Sequence, residues 1–140
     1  MGNKYYEVLE HTADIGLRIK GSNLEDLFKN AGLSIFQVSC RKQFTKNKEH
    51  KALSVKLNAE TLEDLFINWL NELLSLSSAN GLIFHRIEID KIGNNAISAS
   101  CVGSSIENYK VNIEIKAATY HRLKIKEDKG IWQAEVILDV

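Results

Sequence analysis

The stretch at residues 61–81, TLEDLFINWLNELLSLSSANG, is the clearest structural signal in the 140-residue chain. Its apolar side chains recur every three or four residues, which places them on one face of an α-helix. They are Leu62, Leu65, Phe66, Trp69, Leu70, Leu73 and Leu74. Thr61 and Asp64 have the spacing of an N-terminal capping box, and Gly81 can take the left-handed conformation that ends a helix. The stretch therefore predicts an amphipathic helix that must bury one face.

A second helix is predicted upstream of this stretch. Ser22 and Glu25 follow Gly21 at capping-box spacing, in which the hydroxyl accepts from the third helical N–H and the glutamate reaches back. Apolar residues then follow one helical face. They are Leu24, Leu27, Phe28, Ala31, Ile35 and Val38. We expect this helix to run to about Cys40.

The remaining apolar segments alternate with polar residues in the manner of β-strands. The predicted strands cover residues 4–9, 15–20, 53–57, 83–92, 97–101, 111–115, 120–126 and 131–139. Two amphipathic helices cannot cover both faces of a large sheet. The pattern therefore predicts an α+β fold, a two-layer sandwich with both helices packed on one face of a mixed, mostly antiparallel sheet. We expect one domain over residues 1–140.

The charge balance bears on the class of partner. Lys and Arg together number 18, as do Asp and Glu, so the formal net charge is zero. A protein that grips nucleic acid alone is usually distinctly basic, so we expect no strong direct nucleic-acid binding. Residues 41–51 are basic, and we interpret them as an exposed strand or loop, with a phosphate-facing patch as the alternative.

No apolar run approaches the ~20 residues that span a bilayer, and the N-terminus has no apolar signal core. We therefore expect a cytoplasmic protein that does not contact membranes.

The common catalytic motifs are missing from the sequence. It contains no glycine-rich phosphate loop and no nucleophile elbow. The two cysteines and four histidines do not fall at zinc spacing. Cys40 and Cys101 are expected to be small core residues, and Tyr120 and Trp132 are expected to pack in the core.

Two polar clusters remain, and both carry carboxylates. The loop at residues 11–14, HTAD, is interpreted either as an Asx-type turn or as a functional loop. The last strand ends in Asp139 and the main-chain carboxylate of Val140; chain ends often fray, but this apolar segment is expected to dock in a sheet. If Asp14 lies beside them, the converging charges are costly unless a proton or a cation neutralises them. Such hard oxygen ligands suit Ca²⁺ or Mg²⁺, although the residues alone leave open whether they meet.

Five segments together resemble the archease family. Residues 10–17 (EHTADIGL) resemble its N-terminal motif, and residues 22–28 (SNLEDLF) resemble the start of its first helix. Residues 69–74 (WLNELL) resemble the middle of its second helix, and residues 116–121 (KAATYH) resemble its KAxTYH segment. Residues 132–140 (WQAEVILDV) resemble its closing strand. The segments occur in the family's order along nearly the whole chain.

This resemblance implies a protein cofactor rather than an enzyme. Archeases activate the GTP-dependent RNA ligase of the RtcB type, which uses Mn²⁺ and GTP to attach GMP to its own histidine and then seals tRNA exons and other broken RNAs. The resemblance implies that archease promotes this guanylylation and multiple turnover. As an alternative, the resemblance implies a chaperone-like protein that modulates a tRNA cytosine methyltransferase. A third hypothesis, from the carboxylates themselves, is a metal-dependent hydrolase with His11 or His121 as general base.

The resemblance also implies a divalent-metal site. Carried over position by position, its ligands are Asp14, Asp139 and a main-chain oxygen of Val140. The expected ion is Ca²⁺, with Mg²⁺ or Mn²⁺ as alternatives. The residues expected to face the partner protein are His11, Lys116, Thr119 and His121.

Overall fold

The computed structural model describes residues 5–10 and 14–140. Within these ranges the chain forms nine strands, two α-helices and one short 3₁₀ helix. In chain order they are β1 (Tyr6–Glu10), β2 (Asp14–Gly21), α1 (Leu24–Ser39), β3 (Cys40–Lys42), β4 (His50–Asn58), α2 (Leu62–Asn80), β5 (Leu82–Ile92), β6 (Ala96–Ser105), the 3₁₀ helix (Ile106–Asn108), β7 (Tyr109–Val111), β8 (Ala117–Asp128) and β9 (Ile131–Asp139).

The strands divide into two sheets and a short ribbon. The first sheet has the order β1-β2-β9-β8, the second has the order β4-β6-β5, and β3 pairs with β7. All of these pairs, among the described residues, are antiparallel. Both helices pack against both sheets, α1 on β2 and β5 and α2 on β8, β4 and β5. The predicted α+β class is confirmed, with the strands parted into separate sheets that the helices join.

Trp69 lies at the centre of the contact between the helices. Its side chain has no exposed surface, and its indole N–H donates a 2.8 Å hydrogen bond to the main-chain oxygen of Phe28. The Phe28 ring meets Phe66 edge-on at a centroid distance of 5.3 Å. A Cβ on Gly32 would lie 2.7 Å from Cδ1 of Ile87, so the glycine leaves room for this methyl group to pack against α1. The largest apolar side chains of both helices therefore meet in one core.

The helix ends follow capping chemistry. Thr61 accepts the amide of Asp64 at 3.1 Å, and Gly81 ends α2 in the left-handed conformation at φ 63°, so both of these predictions are confirmed. The predicted cap of α1 is wrong by one residue. Asn23 caps the helix by accepting the amide of Asp26 at 2.7 Å, and Asp26 in turn accepts from the amide of Ser22 at 2.9 Å. Because Asn23 is the cap, the third helical position is Asp26 rather than Glu25, and Asp26 takes the role assigned to the glutamate.

The alternating segment at 111–115 does not form the predicted strand. β7 ends at Val111, and residues 112–116 have no strand assignment. The amides of Asn112 and Ile113 instead donate to the main-chain oxygen of Ser39 at 2.8 and 3.1 Å. The main-chain oxygen of Ser39, the last residue of α1, therefore satisfies the first two amides of this segment in place of a neighbouring strand.

The core predictions for single side chains are mostly confirmed. Cys40 and Cys101 are buried free thiols, and burial raises the pKa of Cys101 to about 12. Trp132 is half-buried and packs against the core. The prediction for Tyr120 is wrong: it is 54% exposed, and its hydroxyl donates to Asp64 at 2.7 Å. In the described part of the chain, no helix is both long and apolar enough to cross a membrane.

Candidate functional site

Asp14 and Asp139 lie directly opposite each other at one end of the first sheet. Asp14 begins β2, Asp139 ends β9, and the two are partners in the antiparallel ladder. Side chains of directly opposed residues share a face, with Cβ atoms roughly 4.5–5.5 Å apart. Oδ1 of Asp14 is buried, whereas Asp139 is exposed. The expectation that the last strand docks in a sheet is confirmed, and the register of that strand places Asp139 beside Asp14. The role of the two aspartates as metal ligands stays a prediction.

The alternation of the two strands places this pair on the outer face of the sheet. Leu17 pairs with Val136 and Ile19 with Ala134, and all four side chains are at most 1% exposed. The aspartates have the opposite parity, so they point away from the helices. A one-residue slip would expose this apolar set, and core burial therefore holds the aspartates in register.

The edge next to the aspartates contains the predicted main-chain ligand. Val140 directly follows β9 and is 41% exposed. The main-chain oxygen of Asp139 accepts the amide of Lys116 at 2.8 Å, so the segment before β8 is attached to the same end of the sheet. We call this end, with Asp14, Asp139, Val140 and Lys116, the aspartate corner. Among the described residues, no group of three or more His, Cys, Asp or Glu side chains could hold a metal ion. A cation here would need main-chain oxygens and water besides the two carboxylates.

The residues predicted to face a partner differ in how exposed they are and in how they are attached to this corner. Lys116 is exposed and adjoins Asp139 through its backbone. The hydroxyl of Thr119 donates to the main-chain oxygen of Ile137 at 2.9 Å, so it ties β8 to β9. His121 is exposed within the irregularity between Thr119 and Lys124, where the pairing of β8 with β9 is interrupted. His11 lies outside the described residues. A partner-facing role stays a prediction for all four.

Asn71 fixes the strand that flanks the site, and sequence reasoning missed it. Its side-chain oxygen accepts the amide of Ala118 at 2.8 Å, and its side-chain nitrogen donates to the oxygen of Ala118 at 3.2 Å. Ala118 lies one residue beyond Ala117, the partner of Asp139. In the hydrophobic pattern of α2, Asn71 is only one more polar position, so the pattern does not predict its two hydrogen bonds to Ala118. We call this pair of hydrogen bonds the Asn71 clamp.

We expect Asn71→Ala to lower the free energy of unfolding by about 1–3 kcal/mol, because two backbone groups of buried Ala118 lose their partners. Urea unfolding measures the change. Asn68→Ala is the matched control, since Asn68 is an exposed residue of the same helix. Equal costs for the two variants would contradict the clamp.

The fold and this corner define a small α+β protein with a pair of aspartates at the end of a sheet. The chain matches the Archease protein family (MTH1598/TM1083) over residues 6–140. Protein archease of Methanosarcina mazei is 34% identical over 143 residues, which cover 98% of this chain and 97% of that relative. Protein archease of Thermococcus kodakarensis is 36% identical over 141 residues, which cover 96% and 98%. The chain therefore belongs to the archease family, and the resemblance seen in its motifs is confirmed.

Two solved structures agree with this assignment. The solution structure of protein 1598 of Methanobacterium thermoautotrophicum superimposes with a TM-score of 0.75 at 28% identity, covering 99% of this chain and all of that one. The crystal structure of an archease from Thermotoga maritima, described as a possible chaperone, gives a TM-score of 0.67 at 27% identity, covering 99% of this chain and 100% of that one.

Proposed function

We propose that this protein is a non-enzymatic activator of the GTP-dependent RtcB-type RNA ligase, promoting ligase guanylylation and multiple turnover in tRNA splicing and RNA repair. The observation that carries the proposal is the register pairing of Asp14 with Asp139 in a chain of the archease family. The proposal takes the ligase as the partner protein and the aspartate corner as the surface that meets it.

A divalent cation at this corner is part of the proposal. Like charges directly opposed across a ladder are destabilising, and a pair of carboxylates is tolerated better when a cation lies between them. The donors are oxygens, which Ca²⁺ prefers and Mg²⁺ or Mn²⁺ accept. Asp14, Asp139 and a main-chain oxygen of Val140 would hold the ion, which would supply positive charge between the two strands.

The shape of the corner suits docking rather than turnover. Asp139, Val140, Lys116 and His121 are exposed, so they can enter a cleft of another protein. Held by the β2–β9 ladder, the carboxylates would reach that cleft in a fixed arrangement. There they would help to place a ligase metal ion or the nucleotide phosphates for attack by the ligase histidine.

The test is single-turnover guanylylation of an RtcB-type ligase with GTP and Mn²⁺. We expect the wild-type protein to accelerate labelling of the ligase, and Asp14→Asn and Asp139→Asn each to lose about tenfold or more, equivalent to ~1.4 kcal/mol or more. Asp90→Asn is the matched control, because Asp90 is an exposed aspartate on β5 of the other sheet. If wild-type protein leaves a competent ligase unchanged, the activator role is wrong; if the variants activate fully, the site is wrong.

The chaperone-like role is the second candidate, because the Thermotoga relative is described as a possible chaperone. It predicts that the protein changes which cytosines a tRNA methyltransferase modifies, with no effect on ligase guanylylation. The hydrolase hypothesis predicts turnover of RNA or nucleotides by the pure protein with Mg²⁺ or Mn²⁺. Both outcomes are read from the same protein preparation.

A further inference from the structure

A pair of histidines lies on the second sheet, away from the β2–β9 ladder. Nδ1 of His50 is 3.0 Å from Nε2 of His85, and the rings meet edge-on at a centroid distance of 5.0 Å. His50 begins β4, and His85 is the extra residue where the pairing of β5 with β6 shifts between Phe84 and Arg86. This bulge turns His85 outward while Phe84 remains buried. The two rings are thereby brought into hydrogen-bonding contact across β6.

Cations surround the histidine pair. Desolvation lowers the pKa of His85, and the positive charges of His50, Lys42 and Arg86 lower it further. Lys42 comes from β3, so the charges converge from separate elements. Glu88 lies 3.5 Å from Arg86, but both side chains are about two-thirds exposed, so solvent weakens that pair. Glu49, beside His50, is the other acidic residue next to the pair in sequence.

The positive charges around the pair determine whether an anion or a cation binds there. Two imidazole nitrogens 3.0 Å apart could also chelate a transition-metal ion, but Lys42 and Arg86 oppose a second cation. The same charges increase the affinity for an anion, and the affinity increases further if the histidine pair takes up a proton. Phosphate oxygens accept charge-assisted hydrogen bonds from imidazolium, lysine and arginine donors. The cluster therefore suits a phosphate group.

A cavity adjoins the histidine pair and the cations beside it. It has a volume of about 250 Å³ and is lined by both His85 and Lys42. Its lining also includes the apolar side chains of Phe36, Ile83 and Phe84. Ligand pockets typically combine such apolar walls with a few polar groups that fix orientation. The apolar part of the lining can accept a flat organic group attached to the phosphate, and a pyrimidine is small enough for this volume.

We propose that His50, His85, Lys42 and Arg86 form a phosphate-binding site, and that with the adjoining cavity they bind a nucleoside monophosphate. The site is independent of the aspartate corner, because it is built on β3, β4 and β5 rather than on β2 and β9. It adds a small-molecule ligand to a protein whose proposed function is a protein–protein contact.

Binding is coupled to a proton. A phosphate dianion favours the charged form of the histidine pair, so it raises the pKa that the free protein holds low. Affinity for the dianion then increases as pH falls toward the pKa of His85 in the complex. Below the second phosphate pKa of about 6 the ligand loses a charge, so affinity passes through a maximum. The charged groups near the pair during this titration are Lys42, Arg86 and, through Arg86, Glu88, together with Glu49 and Lys51, which flank His50 in sequence.

The test follows the histidine ring protons by NMR while uridine 5′-monophosphate, inorganic phosphate, uridine or Zn²⁺ is added to the full chain. We expect uridine 5′-monophosphate to bind, to raise the pKa of His85, and to bind at least about fivefold more tightly than phosphate, a difference of ~1 kcal/mol. His85→Gln and Lys42→Met should each weaken binding about tenfold. His121→Gln is the matched control, since it removes an exposed histidine from the other sheet.

Each alternative outcome overturns a stated part of the proposal. Phosphate binding as tightly as the nucleotide would remove the role of the cavity. Zn²⁺ binding without phosphate binding would show that the pair is a metal site, and no binding at all would refute the site. Asp14→Asn should bind the nucleotide like wild type, so failure here and failure of the ligase assay are separate results.

Discussion

Trp69→Ala is expected to lower the free energy of unfolding by about 3–5 kcal/mol, as large aromatic truncations in cores do. The indole is fully buried, contacts Phe28 of the other helix, and donates to its main-chain oxygen. Truncation leaves a cavity between α1 and α2 and removes that hydrogen bond. Since domains of this size are stable by only about 5–15 kcal/mol, urea unfolding should show a large loss.

Two further variants separate the causes. Trp69→Phe keeps most of the ring volume and removes the indole N–H, so it should cost less than the alanine variant. Trp132→Ala removes the same side chain from a half-buried position at the start of β9, and it should also cost less. A Trp69→Ala cost below that of Trp132→Ala would mean that the core is not centred where the helices meet.

Excess Ca²⁺ is expected to raise the free energy of unfolding of the wild-type protein, by about 2.7 kcal/mol at a hundred times the dissociation constant. A ligand that binds only the folded state stabilises it, and the ladder that places Asp14 beside Asp139 exists only in that state. Asp14→Asn and Asp139→Asn should abolish the gain, whereas Asp90→Asn should keep it. Thermal or urea unfolding with and without Ca²⁺ measures the effect.

Without a metal ion, we expect the two aspartate variants to have a higher free energy of unfolding than the wild-type protein. Replacing either aspartate removes one of two like charges that lie directly opposite each other, an arrangement that is destabilising. Each metal-free variant should therefore be slightly more stable than metal-free wild type. A Ca²⁺ gain that survives in both variants would show that the ion binds elsewhere. Stabilisation by Mg²⁺ or Mn²⁺ instead of Ca²⁺ would correct the identity of the ion and leave its position intact.

Local patterns predicted both helices well. The three-and-four spacing identified α1 and α2, and Thr61 and Gly81 marked the ends of α2. Errors arose where tertiary contacts compete with local preference. Residues 112–116 alternate like a strand, yet the amides of Asn112 and Ile113 donate to the main-chain oxygen of Ser39 at the end of α1. Tyr120 was expected in the core, but Asp64 holds its hydroxyl at the surface.

The candidate sites were less accessible to sequence reasoning. Motif resemblance marked Asp14 and Asp139, and the charges indicated a cation only on the condition that they meet. No pattern pointed to the histidine pair, and the motif at residues 69–74 contains Asn71 without indicating its contact. In both cases the contact joins residues that are far apart along the chain. The clamp from Asn71 spans 47 residues and the histidine contact spans 35.

Composition and hydrophobic period therefore determine the α+β class, the two helices and the apolar strands of this protein, since these depend on neighbours within a few residues. Family motifs add the aspartates and their expected partner. The tertiary structure alone decides which side chains meet: the β2–β9 register pairs Asp14 with Asp139, and a bulge in β5 turns His85 toward His50. Register and bulges arise from packing the whole core at once, because each strand shift would expose a buried face.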